Sequence, residues 1–380
     1  MNVLLVGNYE NDLHVSMNRY AAFMEKGLVQ AGHHVKTVRP QDCFGQLRPS
    51  YRGLGKWLGY IDKFGIFPLV FRSALRWADV VHIIDQGNSV YTKYLKSFPH
   101  LVTCHDLFAI RSALGEIPQN PTRWTGRKLQ QMILKGLREA QHIVCVSDAT
   151  RKDLLRVAGI PECRVSRVYN SLASGFSLMD QREAENRVRK LFIDPSQPFL
   201  LHVGGNQWYK NRLGVLRIFS SFRKLSQDRH FTLVMVGKPW TSEMRRFVAE
   251  QGMRDVAVEL TGVADEDLRA LYSTATLMLF PSLQEGFGWP IIEAQACGCP
   301  VLTSDRSPMN EVGGNAAVYC DPEEPESAAV IVKRALENLP SLRESGLVNA
   351  SRFDSSVTIN SYLLLYEKLC ANTSGRCYVS

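Results

Sequence analysis

Short apolar runs alternate along this chain with longer segments whose apolar positions recur at helical spacing, and the alternation occurs in two series. In the first, Asn2 to Gly7, His34 to Arg39, Asp79 to Ile84, Leu101 to Cys104, His142 to Val146 and Val165 to Tyr169 read as strands. Helical patterns at Ser16 to Ala31, Arg127 to Ala140 and Asp148 to Ala158 lie between several of them. In the second, the strands are Phe199 to Val203, Thr232 to Val236, Ala257 to Leu260, Leu277 to Phe280, Val301 to Thr303 and Ala317 to Tyr319. Helical segments at Asn211 to Leu225, Ser242 to Gln251, Glu266 to Thr274 and Pro290 to Cys297 separate them. Strands that alternate with helices predict parallel sheets covered on both faces, hence two doubly wound α/β domains. The boundary follows Tyr169-Asn170-Ser171, giving domains over 1–172 and 173–354. In the remaining 355–380, Ile359, Leu363, Tyr366 and Leu369 predict a late helix. Ligands of such sheets bind beyond the carboxyl ends of the strands, so the expected site is the cleft between the two domains.

The length of 380 residues agrees with two domains at roughly 150 residues each. A composition of 45% hydrophobic residues excludes disorder, and the nine cysteines, never spaced C-x-x-C, fit a reducing cytosol. Met1-Asn2-Val3 runs directly into a strand with no charged leader, and no run approaches the roughly 18 to 20 apolar residues that span a bilayer. A cytoplasmic protein with at most peripheral attachment at the inner membrane face is expected. The net charge of +8 is uneven: residues 1–175 hold 23 Lys+Arg against 13 Asp+Glu, and the rest hold 22 against 24. Between Arg48 and Trp77, Arg48, Arg52, Lys56, Lys63, Arg72 and Arg76 are opposed by Asp62 alone and interleaved with Trp57, Tyr60, Phe64, Phe67, Phe71 and Trp77. This stretch reads either as a solvated amphipathic segment packed on its own domain or as a surface for an anionic partner, a membrane leaflet or a lipid phosphate. Nucleic acid is not the expected partner.

The chemistry concentrates in Phe280-Pro281-Ser282-Leu283-Gln284-Glu285-Gly286-Phe287-Gly288-Trp289-Pro290-Ile291-Ile292-Glu293-Ala294. A strand ends, a turn with two glycines follows, and Pro290 marks a helix start, where its missing N–H costs nothing. The glycines admit a ligand close to the backbone, and the free N–H groups of the first turn favour an anion such as a pyrophosphate. Glu285 and Glu293 flank that turn as hydroxyl acceptors, one for a sugar and one for a ribose. Lys210, placed before the helix at Asn211 and after the strand that ends at Gly204, opposes the helix dipole unless an anionic ligand resolves the conflict. His105 stands at a strand's carboxyl end, whereas His82, His142 and His202 read as structural. Asp265-Glu266-Asp267 reads as an N-cap and first turn rather than a metal site. No dinucleotide fingerprint or P-loop motif occurs.

The two-glutamate segment resembles the signature of glycosyltransferase family 4, retaining enzymes of the GT-B fold. The likeness extends over Gly7, Ala31-Gly32-His33-His34-Val35, His105-Asp106, Val146-Ser147, Tyr169-Asn170-Ser171, Lys210-Asn211 and Leu260-Thr261-Gly262-Val263. It implies two Rossmann-like domains facing across a cleft, with a C-terminal helix that crosses back to the first. By the same resemblance Glu285 holds the donor sugar and Glu293 the ribose, while Gly204 and the segment Gly286, Phe287, Gly288, Trp289 and Ile291 supply the phosphate and sugar cradle. Lys210 neutralises the diphosphate, the region of Val263 contacts the base, His105 faces the sugar, and Gly7, Ser16 and Arg19 lie on the acceptor side. Many members carry an Arg near the lysine; here those places hold Gly205, Asn206 and Tyr209, and Arg212 follows Lys210. The expected activity is transfer of a hexose from a nucleotide-diphosphate sugar to a glycan or lipid-linked acceptor, with no cofactor or metal required. A nucleotide-sugar epimerase, a phosphorylase, or a non-catalytic membrane- or nucleic-acid-binding protein are the alternatives.

Overall fold

The computed structural model describes residues 1–9, 15–47, 54–225 and 230–374. The chain forms two compact units, Met1–Tyr169 joined by the segment from Ser355 onward, and Asn170–Asp354. In the first unit β1 (Asn2–Val6), β2 (His34–Val38), β3 (Val80–Ile83), β4 (His100–Cys104), β5 (His142–Cys145) and β6 (Val165–Arg167) pair in the order β2-β1-β3-β4-β5-β6, all parallel. Val3 to Val6 are completely buried because helices cover both faces of β1, as the uninterrupted apolar run requires. One core cluster joins the sheet to the helices Phe67–Leu75 and Trp124–Glu139 and to the 3-10 segment Gln86–Tyr94. Gly136 makes the last contact close: a Cβ there would stand 2.1 Å from the Ser89 carbonyl oxygen. The helices Val15–Gln30 and Ser355–Ser374 pack together, with the Tyr20 and Tyr362 hydroxyls 2.8 Å apart.

The second unit holds β7 (Phe199–Gly204), β8 (Thr232–Gly237), β9 (Ala257–Leu260), β10 (Leu277–Phe280), β11 (Val301–Ser304) and β12 (Val318–Cys320). Their order is β12-β11-β10-β7-β8-β9, again all parallel. The strand order reverses between β1 and β3 in one sheet and between β7 and β10 in the other, and these reversals are where doubly wound sheets leave a crevice.

The basic, aromatic stretch divides differently from its sequence pattern. Arg48 and Arg52 lie outside the described residues, as does the side chain of Lys56. Phe67 and Phe71 belong to the core, stacked with centroids 5.6 Å apart, so they are not surface aromatics. The apolar groups that do reach solvent are Trp57, Ile61, Leu69 and Val70, on the helices Leu54–Ile61 and Phe67–Leu75, with Arg72 and Arg76 exposed beside them in the chain. Asp62 is buried and accepts from the N–H groups of Phe44 and Gly45. Among the described residues no helix is long and apolar enough to cross a membrane.

Candidate active site

In the second unit, two loops leave adjacent strands and are stapled to each other. After β7 the chain ends a 3-10 turn, Trp208–Lys210, and Asn211 adopts a left-handed conformation at φ 52°. The Asn211 Nδ2 donates to the carbonyls of Pro281 at 3.0 Å and Pro322 at 2.9 Å. The Leu283 N–H donates to the Tyr209 carbonyl at 2.7 Å. Lys210 Nζ therefore stands 2.7 Å from Glu285 Oε1, with side chains only 16% and 8% exposed. The cation ahead of the helix Arg212–Leu225 is met by a carboxylate, so it is not a solvated surface lysine. Its stem passes the bare Cα of Gly204, where a Cβ would lie 3.6 Å from Lys210 Cδ and 3.0 Å from His202 Nε2.

The turn after Glu285 closes on Gly288, which caps the helix Trp289–Ala296 at φ 109°, a conformation that glycine tolerates best. Trp289 is the first helical residue and Pro290 the second, where its lack of an N–H is still harmless. Phe287 and Ile291 are buried, Phe287 edge-on to Phe353, so these two residues offer a ligand their backbone and not their side chains. Trp289 Nε1 donates to the Ser171 carbonyl at 3.2 Å and holds the turn in place. Glu293 is buried one turn into the helix and accepts from the Tyr272 hydroxyl at 3.2 Å. Burial, followed by the Glu293 charge, raises the Tyr272 pKa well above its ordinary value, which keeps it a donor.

Arg212 is buried. Its Nη1 donates to Asn206 Oδ1 and to the Lys238 carbonyl, so it ties the loop after β7 to the loop after β8. Its Nε and Nη2 have no hydrogen-bond partner, and burial lowers its pKa, with Glu259 acting in opposition. Val263 lies in the loop after β9, an edge strand two places from β7. Asp265, Glu266 and Asp267 form the first turn of the helix Asp265–Thr274; the N-cap is Ala264 and not an acidic residue. Asp267 pairs with Arg187 at 3.2 Å and Glu266 with Arg269 at 3.4 Å.

In the first unit, His105 follows β4. Its N–H donates to Gln86 Oε1 at 2.8 Å, and its ring Nε2 donates to the Ile84 carbonyl at 2.9 Å. That bond makes Nδ1 the acceptor nitrogen of the neutral ring. Burial lowers the His105 pKa, opposed by the charge of Asp85. Asp85 ends β3's exit, where it accepts from Asn8 Nδ2 and from the Gly87 N–H, both at 2.6 Å. Asp85, Asn8 and Gln86 escaped the sequence reading because only the strand order brings the exits of β1, β3 and β4 together. Gly7 is buried, its N–H donating to Val38 O at 2.8 Å, while Ser16 and Arg19 are exposed on the helix Val15–Gln30. His82 and His202 are fully buried and pushed down to about 3 by desolvation; His142 is pushed to about 4.

Two parallel doubly wound sheets place the chain in the two-domain α/β class with the GT-B fold. Sucrose-phosphate synthase from Thermosynechococcus elongatus superposes with a TM-score of 0.77 at 19% identity, covering 98% of this chain and 100% of that one. HepE from Anabaena, in complex with UDP and glucose, gives 0.74 at 14% identity over 97% and 100%. The family description "Glycosyltransferase Family 4" matches residues 17–172 and "Glycosyl transferases group 1" matches residues 183–346. The chain belongs to the group 1, family 4 glycosyltransferases and is a glycosyltransferase. The epimerase, phosphorylase and non-catalytic alternatives are not favoured. Among curated relatives, O-antigen chain mannosyltransferase B of Escherichia coli is 28% identical over 72% of this chain and 75% of its own length. O-antigen chain mannosyltransferase RfbU of Salmonella typhimurium is 26% identical over 55% and 54%. The serotype-specific mannosyltransferase WbdA of Escherichia coli is 25% identical over 90% and 45%, so the match spans about half the length of these last two.

Proposed function

We propose that this glycosyltransferase moves a hexose, mannose first among the candidates, from a nucleotide-diphosphate sugar to a hydroxyl of a growing polysaccharide or lipid-linked glycan, with retention of configuration. The observation that carries the donor assignment is the Lys210–Glu285 contact of 2.7 Å at the reversal between β7 and β10, beside the start of the helix Trp289–Ala296. A lysine and fixed N–H donors stabilise the charge that grows on a departing diphosphate, and they need no metal to do so. In this reading Lys210 exchanges Glu285 for the diphosphate, and Glu285 then accepts from the sugar hydroxyls. Glu293 accepts from the ribose, the loop at Val263 meets the base, and Arg212 fixes the loops around the phosphates. His105 offers Nδ1 to the sugar. The bond between the anomeric carbon and the diphosphate oxygen breaks with its electron pair staying on the diphosphate. The acceptor oxygen bonds to the vacated face, and its proton goes to that diphosphate oxygen. Mannose is favoured because the curated relatives named above are mannosyltransferases.

The test is product analysis with GDP-mannose and UDP-glucose as donors, with and without excess chelator. Release of nucleoside diphosphate, a product with the donor's anomeric configuration, and turnover that survives chelation are expected. An inverted product overturns retention, and complete loss that magnesium restores overturns metal independence.

A membrane surface is the second part of the reading. Exposed Trp57, Ile61, Leu69 and Val70 accompany Arg72 and Arg76, and such a pairing of apolar and basic side chains suits the interface of an anionic bilayer, where a lipid-linked acceptor is presented. Flotation with anionic and neutral vesicles tests it: binding to anionic vesicles alone, weakened by Arg72→Glu with Arg76→Glu, is expected. No binding at low salt overturns it.

A further inference from the structure

We propose that Tyr20 is a positioning residue for His105, and that the last helix, Ser355–Ser374, acts on the His105 ring through it. For its catalytic consequence this rests on the reading of His105 given above; for its geometry it does not. The Tyr20 ring stands edge-on to the His105 imidazole, with centroids 4.7 Å apart at 85°. The Tyr20 hydroxyl donates to the Tyr362 hydroxyl at 2.8 Å, and Tyr362 shares a bond of 2.9 Å with Thr103 Oγ1. Thr103 meets His82 Nε2 at 2.7 Å, and His82 Nδ1 meets the Tyr366 hydroxyl at 2.7 Å. The chain thus runs from β3 and β4 through two turns of the last helix to Tyr20 and ends on His105.

All five members are more than nine-tenths buried. Apolar side chains would fill the same volume without the desolvation cost of five polar groups, so this arrangement has a use beyond cohesion. A buried, fully connected polar chain permits few alternative placements of its members. His82 is held neutral, so one of its two ring nitrogens donates and the other accepts, and both are engaged, by Tyr366 and Thr103. Tyr362 also stacks on His82, with centroids 5.0 Å apart at 25°. The His105 ring is therefore fixed at two places: Nε2 on the Ile84 carbonyl, and one side against a tyrosine that cannot swing without breaking the chain. Thr103 precedes His105 by two residues on the same segment, which ties the backbone of β4 to the same anchor.

The experiment uses the full chain with three variants, Tyr20→Leu, Tyr20→Phe and Tyr362→Phe. It reads kcat and KM with GDP-mannose and UDP-glucose, affinity for GDP and UDP, melting temperature, and the His105 imidazole resonance identified by its loss in His105→Gln. Tyr20→Leu is expected to lower kcat at least tenfold, leave nucleotide affinity within twofold and shift the His105 resonance. Tyr20→Phe keeps the ring against His105 but cuts its bond to Tyr362, so it is expected to shift the His105 resonance and lower kcat three- to tenfold, less than Tyr20→Leu; parent values for both would show that the last helix does not act through Tyr20. Tyr362→Phe, which is one residue removed from His105, still shifts the resonance and lowers kcat three- to tenfold. If Tyr20→Leu and Tyr362→Phe lower only the melting temperature while kcat and the His105 resonance stay at parent values, the network is structural and the proposal is overturned. If His105→Gln keeps near-normal turnover, the catalytic reading of His105 falls, and the resonance shifts alone then decide whether Tyr20 positions the ring.

Discussion

Replacing either partner of the Lys210–Glu285 pair separates donor binding from catalysis, and the structure sets the size of each effect. At 2.7 Å the gross attraction is about 6 kcal/mol at an effective dielectric of about 20. Most of that is offset by desolvation, so the measurable quantity is the cost of leaving one charge alone. For a pair this little exposed, removing one partner costs about 3 kcal/mol of stability, the low end of the range for buried pairs. In the proposed reaction, Lys210→Met should lose a charge-assisted contact to the departing diphosphate of about 1.5 to 3 kcal/mol, which is roughly a ten- to 150-fold fall in kcat. It also weakens nucleoside diphosphate binding. Glu285→Gln should behave in the opposite sense toward the nucleotide: without the competing carboxylate, Lys210 takes the diphosphate a few-fold more tightly, roughly 1 kcal/mol, while turnover still falls because the sugar loses its acceptor. Calorimetry with free GDP and UDP, steady-state kinetics with the donors, and urea unfolding of both single variants and the double variant measure these terms. The double variant should bind nucleotide like Lys210→Met and lose less stability than the two single losses added together. If Glu285→Gln weakens nucleotide binding as much as Lys210→Met does, the exchange of carboxylate for diphosphate is wrong.

Glu293→Ala should weaken nucleotide affinity by about 1.5 to 3 kcal/mol and leave the Tyr272 hydroxyl without its acceptor, which calorimetry and urea unfolding measure separately; unchanged nucleotide affinity removes the ribose assignment. Phe192 is 97% exposed with φ at 60°, so Phe192→Gly relieves a left-handed strain of about 1 to 2 kcal/mol against a glycine entropy cost of about 0.5 to 1, for a net gain of about 0.5 to 1 kcal/mol in urea unfolding. No gain would mean that Phe192 does not occupy that conformation. His82 and His202 titrate at about 3 in the folded chain against 6.5 when unfolded. The unfolded state takes up their protons first, so their contribution is complete above about pH 6.5 and is lost as pH falls toward 3, at about 1.4 kcal/mol per pH unit for each. Urea midpoints at pH 7, 6 and 5 check this, and a flat profile contradicts it.

The positions of the strands, the late helix and the glutamate turn were legible in the sequence because each depends on neighbours within a turn or two. The apolar runs that became β1 to β12 were already distinguishable from the helical periods around them, and the fold class followed. Gly288, Pro290 and Glu293 belong to one turn and one helix, so their spacing alone placed them around a helix start. The strand order was not legible, since every apolar run in a doubly wound sheet reads much like the next. Only that order brings Lys210 to Glu285, 75 positions away, or the Tyr20 hydroxyl to Tyr362, 342 positions away. For the same reason the sequence left open whether the rings of Phe67 and Phe71 pack on their own domain or face a partner; packing turned them inward and left Trp57 and Leu69 outside. Local patterns determine which residues form an element and which face is apolar; long-range packing decides which elements become neighbours, and the charged and hydroxyl-bearing contacts of this protein follow from that decision.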